Sequence, residues 1–174
     1  MTRLSTFESA VLPHLDAAYN LARWLTRNDH DAEDVVQESF MRAFRYFDRL
    51  KGLEGRPWLL GIVRNTCYTW LEKNRPAELV PLDDADAVIE SIASTAPSPE
   101  VILLQSANRR LVNQALEELP VVFREVIVMR EIEDMSYKEI AAVVAIPMGT
   151  VMSRLARGRD LLKRAIEMRA RKAS

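Results

Sequence analysis

Apolar residues recur every three to four positions along most of the chain, which is the spacing of one face of an α-helix. Clear examples are Val36, Phe40, Ala43 and Phe47 in the first half, and Val151, Leu155 and Leu162 in the second. No stretch shows the sustained alternation of apolar and polar residues, bounded by turn residues, that is typical of strands. The pattern therefore predicts an all-α fold.

The first half contains three predicted helical segments. Residues 4–27 form one segment, which Pro13 can split, and a second helix runs from about Ala32 to Phe47 after a polar, capping turn at 28–31. Residues 51–56 are predicted to form a loop, because they hold two glycines and mixed charges. A third helix runs from Pro57 to about Lys73, since proline suits a first helical turn. Arg64, Asn65 and Tyr68 are expected to face away from its buried side.

A change of composition separates the two halves of the chain. Residues 76–99 contain four of the eight prolines, and the stretch 76–100 holds six acidic residues and no Lys or Arg. Such a segment cannot bury enough apolar surface to fold by itself. We therefore expect two small helical domains, at 1–75 and 100–174, joined by a flexible acidic linker at 76–99.

The second half ends in a pair of predicted helices. Ser136 and Glu139 have the spacing of a capping box, so a helix is expected to begin there. A turn is expected at 147–149, and Thr150 is expected to cap the next helix. This second helix has Val151, Leu155, Gly158 and Leu162 on one side and Ser153, Ala156 and Arg157 on the other, flanked by Arg154 and Arg159. The arrangement fits a DNA-reading helix-turn-helix; the alternative is an ordinary helical hairpin with a solvated basic face. The basic tail at 169–174 is expected to fray.

Charge is unevenly distributed, although the net charge is only −1. The stretch 148–172 has eight Lys or Arg against two acidic residues, whereas the predicted linker is acidic. A basic end of this kind is the electrostatic signature of a nucleic-acid-binding segment, which a total charge conceals.

No residues with a catalytic pattern are found in the sequence. Cys67, the one cysteine, is interpreted as a packing residue, and neither His14 nor His30 has companions at metal-ligand spacing. No glycine-rich phosphate-binding motif occurs. We expect a protein that is not an enzyme, with no catalytic residue, metal or cofactor. With no signal peptide and no apolar run of about 18 residues, we also expect no membrane span and a cytoplasmic location.

Two surfaces of the first domain allow alternative interpretations. Asp31, Asp34 and Glu38 form an acidic stripe, which is either a solvated helix face or a docking surface for a basic partner. Trp58, with the three outward residues of the same helix, could stack on unpaired bases and bind phosphate, or could be an ordinary polar surface.

Five motifs together resemble bacterial sigma factors of the extracytoplasmic-function type, which contain only the second and fourth sigma domains. They are DAEDVVQESF at 31–40, RPWLLGIVRNT at 56–66, ALEELP at 115–120, SYKEIA at 136–141 and IPMGTVMSRLARGR at 146–159. The resemblance covers nearly all of both domains and leaves out the linker and the two tails.

The resemblance implies a transcription initiation factor that binds core RNA polymerase, directs it to promoter DNA, and is held inactive by an anti-sigma factor. It implies that Asp34, Gln37 and Glu38 dock on the polymerase. Reading of the −10 element as single strand is implied for Lys51, Arg56, Trp58, Arg64, Asn65 and Tyr68. Reading of the −35 element as duplex is implied for Thr150, Ser153, Arg154, Ala156, Arg157 and Arg159.

Two positions depart from the family pattern. Ala145 stands where the family usually has glycine, so we expect the turn between the paired helices to be built differently. Met152 stands where many relatives carry a basic residue, and Ala156 is small, so base preference cannot be transferred from them. Two other functions stay open: a one-component helix-turn-helix regulator that acts without polymerase, and, more remotely, a nucleic-acid-modifying enzyme.

Overall fold

The computed structural model describes residues 2–52, 54–79 and 109–173, and within these ranges every regular element is helical. This confirms the all-α prediction. Most of the predicted linker, and the predicted start of the second domain at residue 100, lie outside the described residues. In the described part of the chain, no single helix has the length and apolarity to cross a membrane. Only the last two helices, bent by 98° and taken as a pair, reach that threshold.

The first module consists of four α-helices joined by short turns. They are α1 (Arg3–Val11), α2 (Leu15–Thr26), α3 (Asp29–Arg45) and α4 (Gly55–Asn74), with 3-10 turns at Leu12–His14, Phe47–Leu50 and Pro76–Glu78. Pro13 lies in the first of these turns and separates α1 from α2, as predicted. The described start of the predicted linker therefore continues the first module as a 3-10 turn.

Both α3 and α4 begin earlier than the sequence analysis predicts. The side chain of Asn28 accepts a hydrogen bond from the Asp31 amide at 3.0 Å, so α3 begins at Asp29 rather than Ala32. Glu54 has extended backbone and precedes α4, which makes Arg56 helical rather than part of a loop. Pro57 still lies in the first turn, where its missing N–H has no intrahelical partner to lose.

The second module contains four further α-helices within the described residues. They are α5 (Arg109–Glu118), α6 (Val121–Ile127), which continues as a π-helical turn at Val128–Ile132, α7 (Tyr137–Val144) and α8 (Met148–Ala173). The prediction that the basic tail at 169–174 frays is wrong for the residues up to Ala173. There α8 continues, and Arg169 forms an ion pair with Glu118 of α5.

The turn between α7 and α8 keeps the left-handed geometry usually given to glycine. Ala145 has φ 61°, and the amide of Ile146 donates to the Ala141 carbonyl at 3.2 Å, which closes a Schellman-type turn. The expectation of a differently built turn is wrong. Thr150 does not cap α8 either, because the helix begins at Met148 and the Pro147 carbonyl accepts the Val151 amide at 3.1 Å.

Glycine allows α8 to lie close to α6. A Cβ atom at Gly158 would lie 2.9 Å from Cδ1 of Ile127. The residues predicted for the buried side of α8, which are Val151, Leu155, Gly158 and Leu162, are all buried. The predicted capping box at its partner α7 is also present: Ser136 and Glu139 exchange two hydrogen bonds, each of 3.1 Å.

The two modules pack against each other, and their buried side chains form one continuous apolar cluster. Helix α4 lies against α7, and α2 lies against α6. Gly61 is at the crossing of α4 and α7, where its Cβ position is 3.7 Å from the Val143 carbonyl oxygen. Helix α7 therefore lies directly against this part of α4.

Candidate nucleic-acid interface

The predicted acidic surface lies on the solvent side of α3. Asp34, Gln37 and Glu38 are exposed, while the residues between them, Val35, Val36 and Ser39, are buried. Glu38 accepts a hydrogen bond from Arg42, one turn further on, at 2.8 Å. Asp31, the first carboxylate of the stripe, is instead held by Arg75 at 3.2 Å. The three residues expected to dock on polymerase therefore share one accessible face.

The structure brings three of the six predicted −10 residues to a groove between the modules. Trp58, Arg64 and Asn65 of α4 line this groove, whose volume is about 750 Å³, and α7 forms its opposite wall. Asn65 is exposed, but Trp58 and Arg64 are half-buried. Lys51 lies outside the groove, exposed on the turn before α4.

Arg56 is held by the carboxylate that caps α7. Its Nη2 donates to both oxygens of Glu139, at 2.9 and 2.8 Å, and its Nε donates to Oε2 at 3.0 Å. Glu139 also accepts the amide of Ser136. Burial opposes the charge of this carboxylate, but the bonds from Arg56 and Ser136 outweigh it and lower the pKa of Glu139. One carboxylate thus stabilises both the helix start and the contact between modules.

Arg64 is held more deeply, by Glu125 of α6. Its Nε and Nη2 donate to the two carboxylate oxygens at 2.9 and 3.1 Å, and Glu125 is 0% exposed. The guanidinium lies over the ring of Tyr68, 3.9 Å from its centroid. Although burial disfavours the cation, the bond to Glu125 raises the pKa of Arg64. Burial also raises the pKa of Tyr68.

A second set of contacts joins α2 to the second module. Arg124, which is buried, donates to the Leu119 carbonyl at 2.8 Å and across the interface to the Leu25 carbonyl at 3.4 Å. Its burial, with the nearby charge of Arg27, lowers the pKa of Arg124 to about 10. Asn20 donates to Glu133 at 3.1 Å on the same side. The interface is therefore polar on both flanks of its apolar centre.

These contacts correct the expected orientation of α4. Of the three residues expected to face solvent, only Asn65 does, because Arg64 and Tyr68 are covered by the second module. Two residues of this interface were not identified from the sequence: Glu125, which pairs with Arg64, and Arg124, which joins the second module to α2. A signal was present: the two are adjacent charges within the otherwise apolar run from Val121 to Met129.

The outer face of α8 is accessible, in contrast to that of α4. Ser153, Ala156 and Arg157 are exposed as predicted, together with Met148 and Met152. The hydroxyl of Ser153 donates to the Gly149 carbonyl of its own helix at 3.0 Å. Thr150 is half-buried in the first turn. The outer face of α8 is therefore accessible, and the major groove of DNA is wide enough to admit an α-helix.

Arg154 and Arg159, which flank the outer face of α8, are less exposed than Arg157. Arg159 is half-buried and donates to Glu131 at 2.7 Å. Arg154 is also half-buried, with its Nε atom out of contact with solvent. Among the described residues, no group of three His, Cys, Asp or Glu side chains could hold a metal ion.

Comparisons with known proteins agree with this architecture. Residues 10–76 match the family model "Sigma-70 region 2", and residues 109–162 match "Sigma-70, region 4". An ECF RNA polymerase sigma-E factor of Salmonella typhimurium is 36% identical over 146 residues, covering 79% of this chain and 74% of that protein. The ECF RNA polymerase sigma factor SigE of Mycolicibacterium smegmatis is 33% identical over 160 residues, and the chain spans only 61% of that protein's length.

Two solved structures are similar to this one over most of the chain. The sigma factor RpoE of Bartonella quintana, in complex with the anti-sigma factor NepR, has a TM-score of 0.69 at 29% identity and covers 93% of this chain. CnrH, in complex with the cytosolic domain of CnrY, has a TM-score of 0.65 at 25% identity and covers 95%. Both sigma regions, the helix-turn-helix and the relatives agree: the chain belongs to the ECF group of the sigma-70 family.

Proposed function

We propose that this protein is a transcription initiation factor that binds core RNA polymerase and directs it to promoters with particular −10 and −35 elements. The observation that carries the proposal is the second helix of the helix-turn-helix. It buries Val151 and Leu155 and leaves Ser153 and Arg157 exposed on the opposite face. Such a helix can enter a major groove without repacking its core. The protein then acts in the cytoplasm, where promoters are read, and catalyses no reaction itself.

Polymerase docking is assigned to Asp34, Gln37 and Glu38. They are accessible on one helix face, and no contact described above joins them to the second module. A basic helical surface of a partner could therefore reach them in the arrangement seen here. Charge complementarity of this kind supports fast and selective association.

Reading of the −10 element is assigned to Lys51, Arg56, Trp58, Arg64, Asn65 and Tyr68, but it needs a change of arrangement. Arg56 and Arg64 each donate two or more hydrogen bonds to a carboxylate of the second module. A guanidinium whose fork is occupied in this way cannot hold a phosphate or a base in the same geometry. The modules therefore separate before these residues meet unpaired DNA.

A single experiment tests the function. Purified protein is added to core polymerase on a library of promoter-length random sequences, and run-off transcripts are mapped. The proposal expects transcripts whose upstream regions share two short elements at fixed spacing. Stable binding of a palindromic duplex by a dimer, with no effect on polymerase, would instead identify a one-component regulator.

An anti-sigma factor is the further partner we propose. Support comes from the two similar solved structures: the sigma factor RpoE is bound to the anti-sigma factor NepR in one, and CnrH is bound to the cytosolic domain of CnrY in the other. The partner should bind the closed arrangement. A candidate protein added to the run-off reaction should then inhibit wild-type protein more strongly than a variant whose modules do not close. Equal inhibition of both would argue against this binding mode.

A further inference from the structure

The outer face of α8 has an apolar edge. Met148, Met152 and Ala156 are four residues apart, which places them along one side of the helix, and all three are exposed. Each methionine keeps 47% of its surface in contact with solvent. The buried side of the same helix, with Val151 and Leu155, lies next to this row, and the two methionines remain about half exposed beside it.

The first turns of α8 offer little for hydrogen-bonded reading of bases. Gly149 has no side chain, Thr150 and Arg154 are half-buried, and the hydroxyl proton of Ser153 is donated to the Gly149 carbonyl. The first exposed side chain with strong donors is Arg157, more than two turns into the helix. What the first two turns present is therefore mainly methyl and thioether surface. In the major groove the one methyl group on a base edge is the C5-methyl of thymine.

We propose that Met148, Met152 and Ala156 read thymine C5-methyl groups in the −35 element, so that this protein prefers thymines under the first turns of α8. The inference rests on the proposed function, since it needs α8 to lie in the major groove. Methionine suits the task because its flexible, polarizable side chain can follow the position of a methyl group. The surrounding charge favours DNA over an apolar protein partner, since residues 148–172 carry eight Lys or Arg and two acids.

Geometry limits where the thymines lie. Residues four apart on a helix are separated by about 6 Å along its axis, and stacked base pairs by about 3.4 Å. The methyl groups read by Met148 and Met152 should therefore fall within about two or three adjacent base pairs. Arg157, further along α8, should read the neighbouring position.

The test uses the holoenzyme and begins with selection from a promoter library randomised over the −35 window. Each thymine of the best sequence is then replaced singly by deoxyuridine, which removes the methyl group and keeps every hydrogen-bonding atom. Competitive transcription should fall about three- to fourfold at each contacted position, which corresponds to roughly 0.8 kcal/mol for one buried methyl group. The Met152→Gln variant, whose new side chain has nearly the same length, should transcribe the thymine and deoxyuridine templates equally at the position that Met152 contacts.

Met168 supplies a matched control, because it is a methionine of the same helix with 50% exposure, four turns beyond Met152. Met168→Gln should keep the wild-type preference for thymine over uracil.

Equal transcription of thymine and uracil templates by the wild-type protein at every position would overturn the inference. The proposed function would still hold if Arg157→Ala changed promoter choice. It would be wrong only if the wild-type holoenzyme gave no promoter-directed transcripts. Weaker polymerase binding by Met152→Gln, with an unchanged thymine preference in the transcripts that remain, would reassign the methionines to a protein contact and also overturn the inference.

Discussion

Arg64 of α4 and Glu125 of α6 join the two modules through a two-point ion pair, with N–O distances of 2.9 and 3.1 Å and with Glu125 fully buried. A buried pair contributes little net stability while it is intact, because both charges have lost their water. Removal of one partner leaves the other charge unpaired at high cost. The pair therefore specifies one arrangement of the modules, and the same contact covers a residue proposed to read the −10 element.

Glu125→Gln should open the protein without unfolding either module. Loss of one member of a buried ion pair costs about 3–5 kcal/mol, and separation of the modules relieves that cost by exposing Arg64 to water. The expected result is a larger radius of gyration in small-angle X-ray scattering, with an unchanged helical circular dichroism signal. Single-stranded DNA should also bind more tightly to the free variant, since Arg64 is uncovered.

Two further variants test the specificity of that effect. Glu118→Gln removes a carboxylate whose ion pair with Arg169 lies within the second module, so the radius of gyration should stay unchanged. Arg64→Met with Glu125→Met replaces the pair by apolar groups of similar volume and should restore the closed form. An unchanged radius for Glu125→Gln would show that the apolar centre alone holds the modules together.

The helices could be predicted from the sequence because their signals are local. Pro13, the capping box at Ser136 and Glu139, and the spacing of Val151 and Leu155 each act within one or two turns. The contact between the modules could not be predicted, because Arg64 and Glu125 are 61 residues apart and no periodicity joins them. The family resemblance indicated which residues of α4 meet DNA, but it did not indicate that the second module covers them.

The stability of the first module should fall as the pH drops below about 6.5, the ordinary pKa of histidine. Burial, together with the nearby charge of Arg56, lowers the pKa of His14, although Glu139 opposes this. The folded form therefore binds fewer protons than the unfolded chain. Stability is fully present above the unfolded pKa and is lost as the pH falls towards the lower folded value.

Urea unfolding followed by tryptophan fluorescence measures this dependence. All three tryptophans, Trp24, Trp58 and Trp70, belong to the first module, so the signal reports on that module. His14→Gln should flatten the dependence between about pH 7.5 and 5.5. His30→Gln changes the other histidine, which is exposed, and should keep the wild-type slope. A slope that His14→Gln leaves intact would place the responsible group elsewhere.

Asp34→Arg with Glu38→Arg should abolish co-elution with core polymerase while the protein stays folded. Both side chains are exposed on α3, so neither substitution disturbs the core. Glu8→Arg with Glu72→Arg changes two exposed acids on α1 and α4, away from this helix, and shifts the net charge equally. That control should bind polymerase like the wild type. Normal co-elution of the folded Asp34 and Glu38 variant would exclude this face as the docking site.

Arg157 and Arg159 should have different effects on promoter recognition. Arg157 is exposed on the outer face of α8, where a bidentate contact to guanine is worth about 1–3 kcal/mol of discrimination. Arg157→Ala should lower transcription and relax preference at one or two base positions. Arg159 is tied to Glu131, so Arg159→Ala should weaken all promoters alike and only modestly. Transcription by both variants on a −35 library measures the difference, and identical profiles would mean that α8 is rotated from the proposed orientation.

Ala145→Gly should stabilise the helix-turn-helix. Ala145 is left-handed, with φ 61°, a conformation that costs an L-residue with a Cβ atom roughly 1–2 kcal/mol and costs glycine little. Glycine also gains freedom in the unfolded chain, which offsets about 0.4–1 kcal/mol of that gain. The net increase should be about 0.5–1 kcal/mol, equivalent to a two- to fivefold slowing of amide hydrogen exchange in α7.

Ala142→Gly, at an exposed position within α7, should act in the opposite direction because glycine is the poorer helix former. Faster exchange in Ala145→Gly than in the wild type would mean that contacts of the Ala145 methyl group outweigh the backbone strain.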